Sequence, residues 1–225
     1  MSPPSKPSSI SRSSNRSYGG KEARTRTAER RDKLVVAAIR LFGGQGFAAT
    51  SIDAVCAEAG LTKRYFYESF SSSEDLLIAA YREATQAFMK SILAAAGPHR
   101  SNARALVRAG VEQVFEFVRT HPDEARLIMI EATSVRSQLG RIYGRSYADF
   151  VELLVAFTKP FLTDNSTSDT VLAVMGRGAT GAIIHLCQGW LATDFKQPVE
   201  ELITGTERLL GGMGRELGVR GWSEP

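Results

Sequence analysis

Apolar residues recur along most of the chain at the three- and four-residue spacing of amphipathic helices, with polar residues between them. The clearest case spans residues 102–120, where one face consists of Val107, Val111, Val114, Phe115 and Val118. After Pro7 no proline occurs until Pro98, and the later prolines are spaced as helix boundaries would be. Since no segment alternates with the period of two that strands require, the pattern predicts an all-α protein.

Three short helical patterns follow one another near the N-terminus, between residues 31 and 77. The first is rich in leucine, alanine and phenylalanine and ends at a cluster of glycines. The second starts at Ile52, with the Thr50 hydroxyl as its predicted N-cap, and the third starts behind Thr62, which is predicted to cap it. Two helices joined by a turn of about four residues, the second of them short, predict a helix-turn-helix.

The third of these helices has two different faces. Phe66 and Phe70 stand one helical turn apart and are predicted to face the core. A short helix whose first turn is basic, aromatic and hydroxylated can enter the major groove of DNA and contact phosphates and base edges. The pattern alone leaves one alternative open, a small helical subdomain with an incidentally basic surface. The outward-facing candidates are Thr62, Lys63, Arg64, Tyr65 and Tyr67.

Charge is distributed unevenly along the chain. Of 225 residues, 28 are Lys or Arg and 24 are Asp or Glu, and residues 1–31 hold 8 of the basic but only 2 of the acidic ones. Residues 1–20 include eight serines, three prolines and two glycines, a composition too poor in apolar groups to fold. We therefore predict a disordered basic tail over residues 1–30, either a solvated leader or an arm that follows a phosphate backbone.

The remaining composition is that of an ordinary globular protein and excludes a fibre or a disulfide scaffold. Cys56 and Cys187 have no companions at metal-site or redox-motif spacing, and Cys56 is predicted to be a small buried residue rather than a redox sensor. We expect no metal site and no cofactor. The longest uncharged run, residues 178–193, is shorter than the ~20 residues of a membrane span, so we expect neither a transmembrane helix nor an N-terminal secretory signal.

The segment that contains the helix-turn-helix also carries several motifs that occur together in one protein family. They are Ala37-Ala38 and Leu41-Phe42 in the first helix, Gly46-Phe47, Thr50, the AGLT turn at 59–62, Tyr67, Phe70 and Glu74-x-Leu76. In this combination they resemble the DNA-binding domain of the TetR family of transcriptional regulators, without a gap from Arg31 to about Leu77. The resemblance implies a DNA-binding domain over residues 31–78 and a helical ligand-binding and dimerisation domain over 79–225.

The resemblance also implies roles for single residues. Thr50, Thr62, Lys63 and Tyr67 are expected to contact phosphate, and Arg64 and Tyr65 occupy positions where base contacts are usual. Arg64 stands where the family commonly has glycine, which adds a cation. Ser73 replaces a lysine that usually binds phosphate, and it can offer one hydrogen bond without charge.

The function that follows from the resemblance is regulation of transcription in the cytoplasm, not catalysis. A homodimer is expected to place its two third helices in successive major grooves of a palindromic double-stranded operator, about 34–36 Å apart. The predicted protein is a repressor that a small-molecule effector releases from DNA. An activator or a corepressor-dependent regulator is the alternative within this class.

Helix phase selects ligand-binding and dimer candidates in the C-terminal domain. The ligand candidates are Phe88, Phe115, Met129, Tyr143, Tyr147 and His185, of which His185 is also interpretable as a hydrogen-bonded core residue. The last two helices are predicted at about 168–192 and 198–210, the second of them stopped by Gly211 and Gly212, and by resemblance they form a four-helix dimer interface. Interface candidates, each with core packing as the alternative, are Ile183, Leu186, Trp190, Ile203 and Leu210.

A different class of function rests on residues 176–181, which fit the pattern GxGxxG from Gly176 to Gly181. In that interpretation the protein is an enzyme that binds a nucleotide cofactor. A dinucleotide site needs a parallel sheet, however, and fewer than 50 residues remain after Gly181, with no second β-branched run. A long helix in which small residues allow a close neighbour explains the same glycines.

Overall fold

The computed structural model describes residues 14–163 and 167–222. Within these two ranges the secondary structure is helical, and the strand-like pairing is limited to an isolated antiparallel bridge between Leu162 and Val219. The prediction of an all-α fold with an N-terminal helix-turn-helix is confirmed.

The described helices form one N-terminal group and one larger C-terminal group that share α4. In chain order they are α1 (Ser14–Gln45), α2 (Ile52–Glu58), α3 (Lys63–Ser69), α4 (Ser73–Ala96), α5 (Ala103–Thr120), α6 (Pro122–Arg126), α7 (Ala132–Ser134), α8 (Arg136–Leu139), α9 (Arg141–Thr158), α10 (Asp169–Ala192) and α11 (Val199–Glu216). A π-helical turn, Leu127–Glu131, joins α6 to α7, and short 3₁₀ turns follow α4 and α9. α4 runs across the predicted domain boundary between residues 78 and 79.

The first helix begins earlier than the sequence predicts. α1 runs without interruption from Ser14, so residues 14–30 are helical, which corrects the prediction of a disordered tail for that part. Residues 1–13 of the predicted tail lie outside the described residues. The physical reason is propagation, because the alanine, glutamate and arginine residues after Gly20 favour helix and extend a helix that Leu34 and its neighbours already anchor.

The N-terminal core lies among α1, α2, α3 and the start of α4. Leu34, Phe42, Phe66 and Leu77 each bury their side chains there almost completely. A second core joins α4 and α5 to α10 and α11, and the apolar face of α5 that the sequence predicts contributes Val111, Val114, Phe115 and Val118. The Asn102 side chain caps α5 by accepting a hydrogen bond from the Ala105 amide.

The end of α1 is joined closely to the C-terminal group. Gly43 is buried, and a Cβ atom built on it would lie 2.1 Å from the carbonyl oxygen of Asp123 at the start of α6. Just beyond, the Phe47 amide donates a 2.8 Å hydrogen bond to the Glu131 carboxylate, in the π-helical turn. We call these four residues the α1–α6 junction, and together with α4 it joins the helix-turn-helix to the rest of the protein.

The last helix is longer than predicted. α11 continues through Gly211 and Gly212 to Glu216, and the segment behind it packs against Gly214 near the end of the helix. Gly214 lies so close to Trp222 that a Cβ atom would meet its ring at 1.8 Å. The arrangement is held by hydrogen bonds from the Arg220 amide to Phe161 and from the Thr163 amide to Gly218. This packing offsets the helix-breaking tendency of glycine, which is worth about 1 kcal/mol per residue.

The GxGxxG segment lies inside α10 rather than in a loop. Gly176 faces α9, where a Cβ atom would approach Val151 and Val155 methyl groups at 3.2 Å. A dinucleotide fingerprint needs a strand, a loop and then a helix start. Since residues 169–192 form one continuous helix, the glycines serve helix packing, and the basis of the enzyme interpretation is lost at this position.

Candidate nucleic-acid interface and ligand cavities

α2 and α3 are joined by a tight turn that Gly60 makes possible. Its φ of +63° lies in the left-handed region, where other residues are strained, and the Leu61 amide closes the turn on the Cys56 carbonyl. α3 is anchored to the N-terminal core by the buried rings of Phe66 and Phe70, whose centroids lie 5.9 Å apart. The predicted core face of α3 is therefore the observed one.

The opposite side of α3 forms an exposed polar row. Arg64 and Tyr67 are 85% and 59% exposed, Lys63 is also exposed, and Tyr65 is half-buried. Thr62 is the N-cap residue, as predicted, but its hydroxyl makes no capping hydrogen bond. That hydroxyl therefore stays available beside the amide groups of the first helical turn, which is a favourable position for an anion.

Both cations of this row are already paired with acids of the same domain. Lys63 Nζ lies 2.9 Å from Asp53 Oδ1, and this hydrogen bond raises the pKa of Lys63. Arg64 Nε lies 3.1 Å from Glu68 Oε1 one turn along α3. These pairs are exposed and hence weak, so either cation can exchange its carboxylate for another anion at little cost.

Two predicted hydroxyl contacts are engaged locally. Thr50 is not the cap of α2, because Ser51 takes that position and accepts a hydrogen bond from the Ala54 amide. The Thr50 hydroxyl instead donates to the Gly46 carbonyl at 2.7 Å. Ser73 opens α4 behind the true cap, Ser72, and its hydroxyl donates to Glu74. The sequence alone does not distinguish Thr50 from Ser51 as the cap, because adjacent hydroxyl residues are equally good N-cap candidates.

The end of the basic segment reaches α3. The Arg30 guanidinium lies over the Tyr65 ring, 4.3 Å from its centroid, and 3.8 Å from the Glu68 carboxylate. Sequence reasoning did not find this contact, since it follows from the helical extension of α1. The arm and α3 thus present one surface, which we call the α3 face: Arg30, Thr62, Lys63, Arg64, Tyr65 and Tyr67.

The two cysteines lie in the cores. Burial raises the pKa of the Cys56 thiol, and the nearby Asp53 carboxylate raises it further. Burial alone raises the pKa of the Cys187 thiol to about 12. Because the thiolate is the reactive form, both sites favour the packing interpretation over redox chemistry.

Four of the six ligand candidates surround one cavity. Phe88, Met129, Tyr143 and Tyr147 line a space of about 50 Å³ between α4, the π-helical turn, α9 and α10, which we call the α4–α9 cavity. Nearby, Gln188 of α10 donates to the carbonyl oxygen of Met129. The cavity therefore adjoins the turn that carries Glu131.

A larger cavity of about 110 Å³, the α5–α11 cavity, lies between α5, α9, α10 and α11. Phe115, the fifth candidate, lines it. The sequence analysis missed Thr206, which is fully buried there, although a threonine within the apolar face of the last helix was a signal. His185 is exposed, which contradicts its core interpretation, and it is not among the described residues that line either cavity.

For three of the interface candidates, the alternative of core packing is the observed one. At most 5% of the surface is exposed at each of three residues, Ile183, Trp190 and Ile203, so none can contact a partner. The Trp190 indole also donates a hydrogen bond to the Gln197 carbonyl of its own chain. Leu186 is half-buried against the same core, and Leu210 lines the α5–α11 cavity. The helix phase was misassigned because α10 is apolar or small on nearly every side.

α10 instead exposes another apolar stripe. Val171 and Val174 are 47% and 54% exposed, and Gly178 and Gly181 continue the stripe toward His185. Only 28% of the most apolar 18-residue window of α10 is buried. Among the described residues, α10 is the one helix long and apolar enough to cross a membrane by length and composition, which the sequence prediction did not anticipate. A soluble core helix passes the same test.

Comparison with known sequences places the N-terminal helices in a family. Residues 34–80 match the model of "Bacterial regulatory proteins, tetR family". The chain is 33% identical over 109 residues to the uncharacterised HTH-type transcriptional regulator YerO of Bacillus subtilis, and 31% identical over 100 residues to the HTH-type transcriptional activator FasR of Mycolicibacterium smegmatis. The alignments cover 46% and 44% of this chain and 36% and 45% of those relatives, so the matched part is less than half the length of each relative.

Comparison of structures extends over most of the fold. A transcriptional regulator from Pseudomonas aeruginosa PAO1 superposes with a TM-score of 0.70 at 18% identity, covering 83% of this chain and 93% of that one. At this identity the likeness concerns the arrangement of helices, including those of the C-terminal group. The N-terminal helices at residues 34–80 thus match the tetR family of bacterial regulatory proteins, and the described helices as a whole share the fold of that structure.

Proposed function

We propose that the chain is a sequence-specific DNA-binding regulator of transcription that acts in the cytoplasm and reads duplex DNA with α3. The observation that carries the proposal is the α3 face, a row of cationic, aromatic and hydroxyl groups on a short helix held rigidly by Phe66 and Phe70. Such a helix fits the major groove, about 12 Å wide, and presents its first turns to base edges.

Within this proposal, each part of the α3 face has a task. Thr62, Lys63 and Tyr67 bind phosphate oxygens, while Arg64 and Tyr65 lie toward the bases. Lys63 exchanges Asp53 for a phosphate on docking. Thr50 and Ser73 remain secondary phosphate contacts, since their hydroxyls must leave Gly46 and Glu74 before they can donate to DNA.

The proposal is tested by selecting bound sequences from a random pool of duplex DNA with the full chain. We expect enrichment of a palindrome whose half-sites lie about 34–36 Å apart, one helical turn. Fluorescence anisotropy should then give an affinity for that palindrome at least ~10³ times that for scrambled DNA. A pool that stays unenriched after several rounds contradicts sequence-specific recognition.

The palindrome requires a dimer, and we propose that the α10 stripe of Val171, Val174, Gly178 and Gly181 packs against its copy in a second chain. Small residues allow two helices to approach closely, and apolar area left outside one core can be buried in this way. The proposed interface thus uses α10, one of the two predicted helices, but a face of it rotated away from Ile183 and Trp190.

Placing a charge in this stripe should break the dimer. For Val174→Glu we expect the dimer to weaken by roughly 100-fold or more, because two carboxylates would be buried against apolar surface. Analytical ultracentrifugation measures the change. Leu93→Glu, at a comparably exposed apolar residue of α4, serves as control and should remain dimeric. A dimeric Val174→Glu protein would place the interface elsewhere.

The regulator is proposed to respond to a small molecule in one of its cavities, and the α1–α6 junction offers the connection to DNA binding. The α4–α9 cavity is lined by Ile128 and Met129 of the π-helical turn, and Glu131 of the same turn holds the Phe47 amide. A ligand that shifts this turn would reorient α1 and α3, to the extent that it binds one state better. We propose that the ligand releases a repressor from its operator. The alternative is an activator, which is the role named for FasR.

The connection can be tested without a ligand. Glu131→Ala leaves the Phe47 amide without its partner, so we expect a loss of about 1–2 kcal/mol in the free energy of unfolding and faster amide exchange at Phe47. Urea unfolding and hydrogen exchange by NMR measure the two effects. Glu131→Gln keeps an acceptor and should lose less. Unchanged exchange at Phe47 in the alanine variant would remove Glu131 from the connection.

A further inference from the structure

The α5–α11 cavity is unusually free of charge for a space of this size. Among the described side chains that line it there is no acid and no base, and the wall is formed by residues such as Val111, Phe115, Phe157, Leu172, Met175 and Leu210. Its volume of about 110 Å³ is of the order that holds a small organic molecule in an apolar cavity. Burying an ionised group here would leave it without a counter-charge, at a cost of several kcal/mol.

The buried hydroxyl of Thr206 interrupts this wall. Thr206 is 0% exposed and lines the cavity, and its hydroxyl oxygen has no hydrogen-bond partner among the described residues. Other helical threonines of the same protein behave differently: Thr85, Thr158 and Thr180 each donate to the carbonyl four residues earlier. Thr206 does not make this bond, although it too lies in the middle of a helix.

A water molecule is a poor partner for this hydroxyl. A buried water is held by two to four polar groups, and roughly three is typical. Thr158, the other hydroxyl among the described lining residues, already donates to Leu154 at 2.8 Å. A buried hydroxyl without a hydrogen-bond partner costs free energy. Its presence in an apolar wall therefore points to a bound ligand that supplies the missing hydrogen bond.

We propose that the α5–α11 cavity binds a neutral, mainly apolar molecule with one hydroxyl or carbonyl oxygen, and that this oxygen hydrogen-bonds to Thr206 Oγ1. The inference rests on the proposed function in one respect: the effector proposed there would act from the α5–α11 cavity, which shares the lining residues Phe150 and Ile183 with the α4–α9 cavity. Carboxylates and other ionised compounds are excluded from this cavity by its uncharged wall. The C-terminal turn, with Val219 and Trp222, closes one end of the site.

The test uses the full chain without DNA, with 1-octanol and sodium octanoate as probes in isothermal titration calorimetry at pH 7.5. We expect 1-octanol to bind at least ~10-fold more tightly than octanoate. Thr206→Val, which keeps the shape and removes the hydroxyl, should weaken 1-octanol binding about fivefold to tenfold. It should also raise the melting temperature of the probe-free protein, because it removes an unpartnered buried group.

Thr180→Val is the matched control, because its hydroxyl is bonded to Gly176 and lines the other cavity. It should bind 1-octanol like the unmodified chain, as should Thr206→Ser, which keeps the hydroxyl. Equal binding of octanol and octanoate, unchanged binding by Thr206→Val, or no saturable binding of 1-octanol would each overturn the inference. A chain that binds 1-octanol as expected but enriches no palindrome would refute the regulator and leave the site assigned.

Discussion

Replacing Gly43 with alanine is expected to destabilise the protein by about 3 kcal/mol, at the upper end of what overpacking costs. The methyl group would lie 2.1 Å from the carbonyl oxygen and 2.7 Å from the carbonyl carbon of Asp123. These are backbone atoms, so no side chain can rotate away. Either α1 or α6 has to move, and the α1–α6 junction opens.

The adjacent glycine provides the matched control. Gly44 is exposed in the same helix, and a Cβ atom there meets no atom of the described part of the chain within 4 Å. Gly44→Ala should therefore stabilise the protein slightly, by about 0.5–1 kcal/mol, because alanine loses less entropy in a helix. At equal protein concentration, thermal unfolding should place Gly43→Ala roughly 6–12 °C below the unmodified chain. Equal melting temperatures for the two variants would mean that α1 and α6 do not approach as described.

Residues with a local pattern could be predicted from the sequence, because their environment lies within one or two helical turns. Phe66 and Phe70 face the core as expected, and α5, Ala103–Thr120, matches the helix predicted over residues 102–120. The exposed row at the start of α3 follows from the same phase. In each case a single amphipathic helix determines both faces, and no distant contact is needed.

Features that depend on distant contacts could not be predicted. Gly211 and Gly212 stop a helix in isolation, but Trp222 and its neighbours stabilise α11 beyond them. His185 and Trp190 lie on an almost uniformly apolar helix, where phase gives no preference for one side. The unpartnered hydroxyl of Thr206 becomes visible only when four helices enclose it.

The charge of the helix-turn-helix domain shapes its proposed binding to DNA. Residues 32–80 contain 4 basic and 6 acidic side chains, so the domain has no general attraction for phosphate. Its two α3 cations are held by Asp53 and Glu68 before docking. Affinity must then come from a few placed contacts, doubled by the dimer, and from Arg30 at the end of the basic segment.

Tyr67→Ala is accordingly expected to weaken binding to the selected palindrome about 30-fold or more. A hydrogen bond from its hydroxyl to a phosphate, together with ring packing, contributes about 1 kcal/mol or more per subunit, and the dimer loses two copies. Tyr67→Phe keeps the ring and should lose less. The folded state should persist in both, because the side chain is 59% exposed and touches Phe66 only at its edge.

Lys63→Ala separates charge from hydrogen bonding in the same assay. Each subunit would lose one phosphate contact, so the slope of log affinity against log salt concentration should fall in magnitude by about 2 per dimer. Tyr67→Ala removes no charge and should leave that slope unchanged, as should Lys90→Ala, an exposed lysine of α4. Lys63 must give up its ion pair with Asp53 when it binds a phosphate, so its net contribution to affinity is reduced. Lys63→Ala should therefore cost less affinity for the palindrome than Tyr67→Ala. If both α3 variants bind the palindrome as the unmodified chain does, α3 is not the recognition helix.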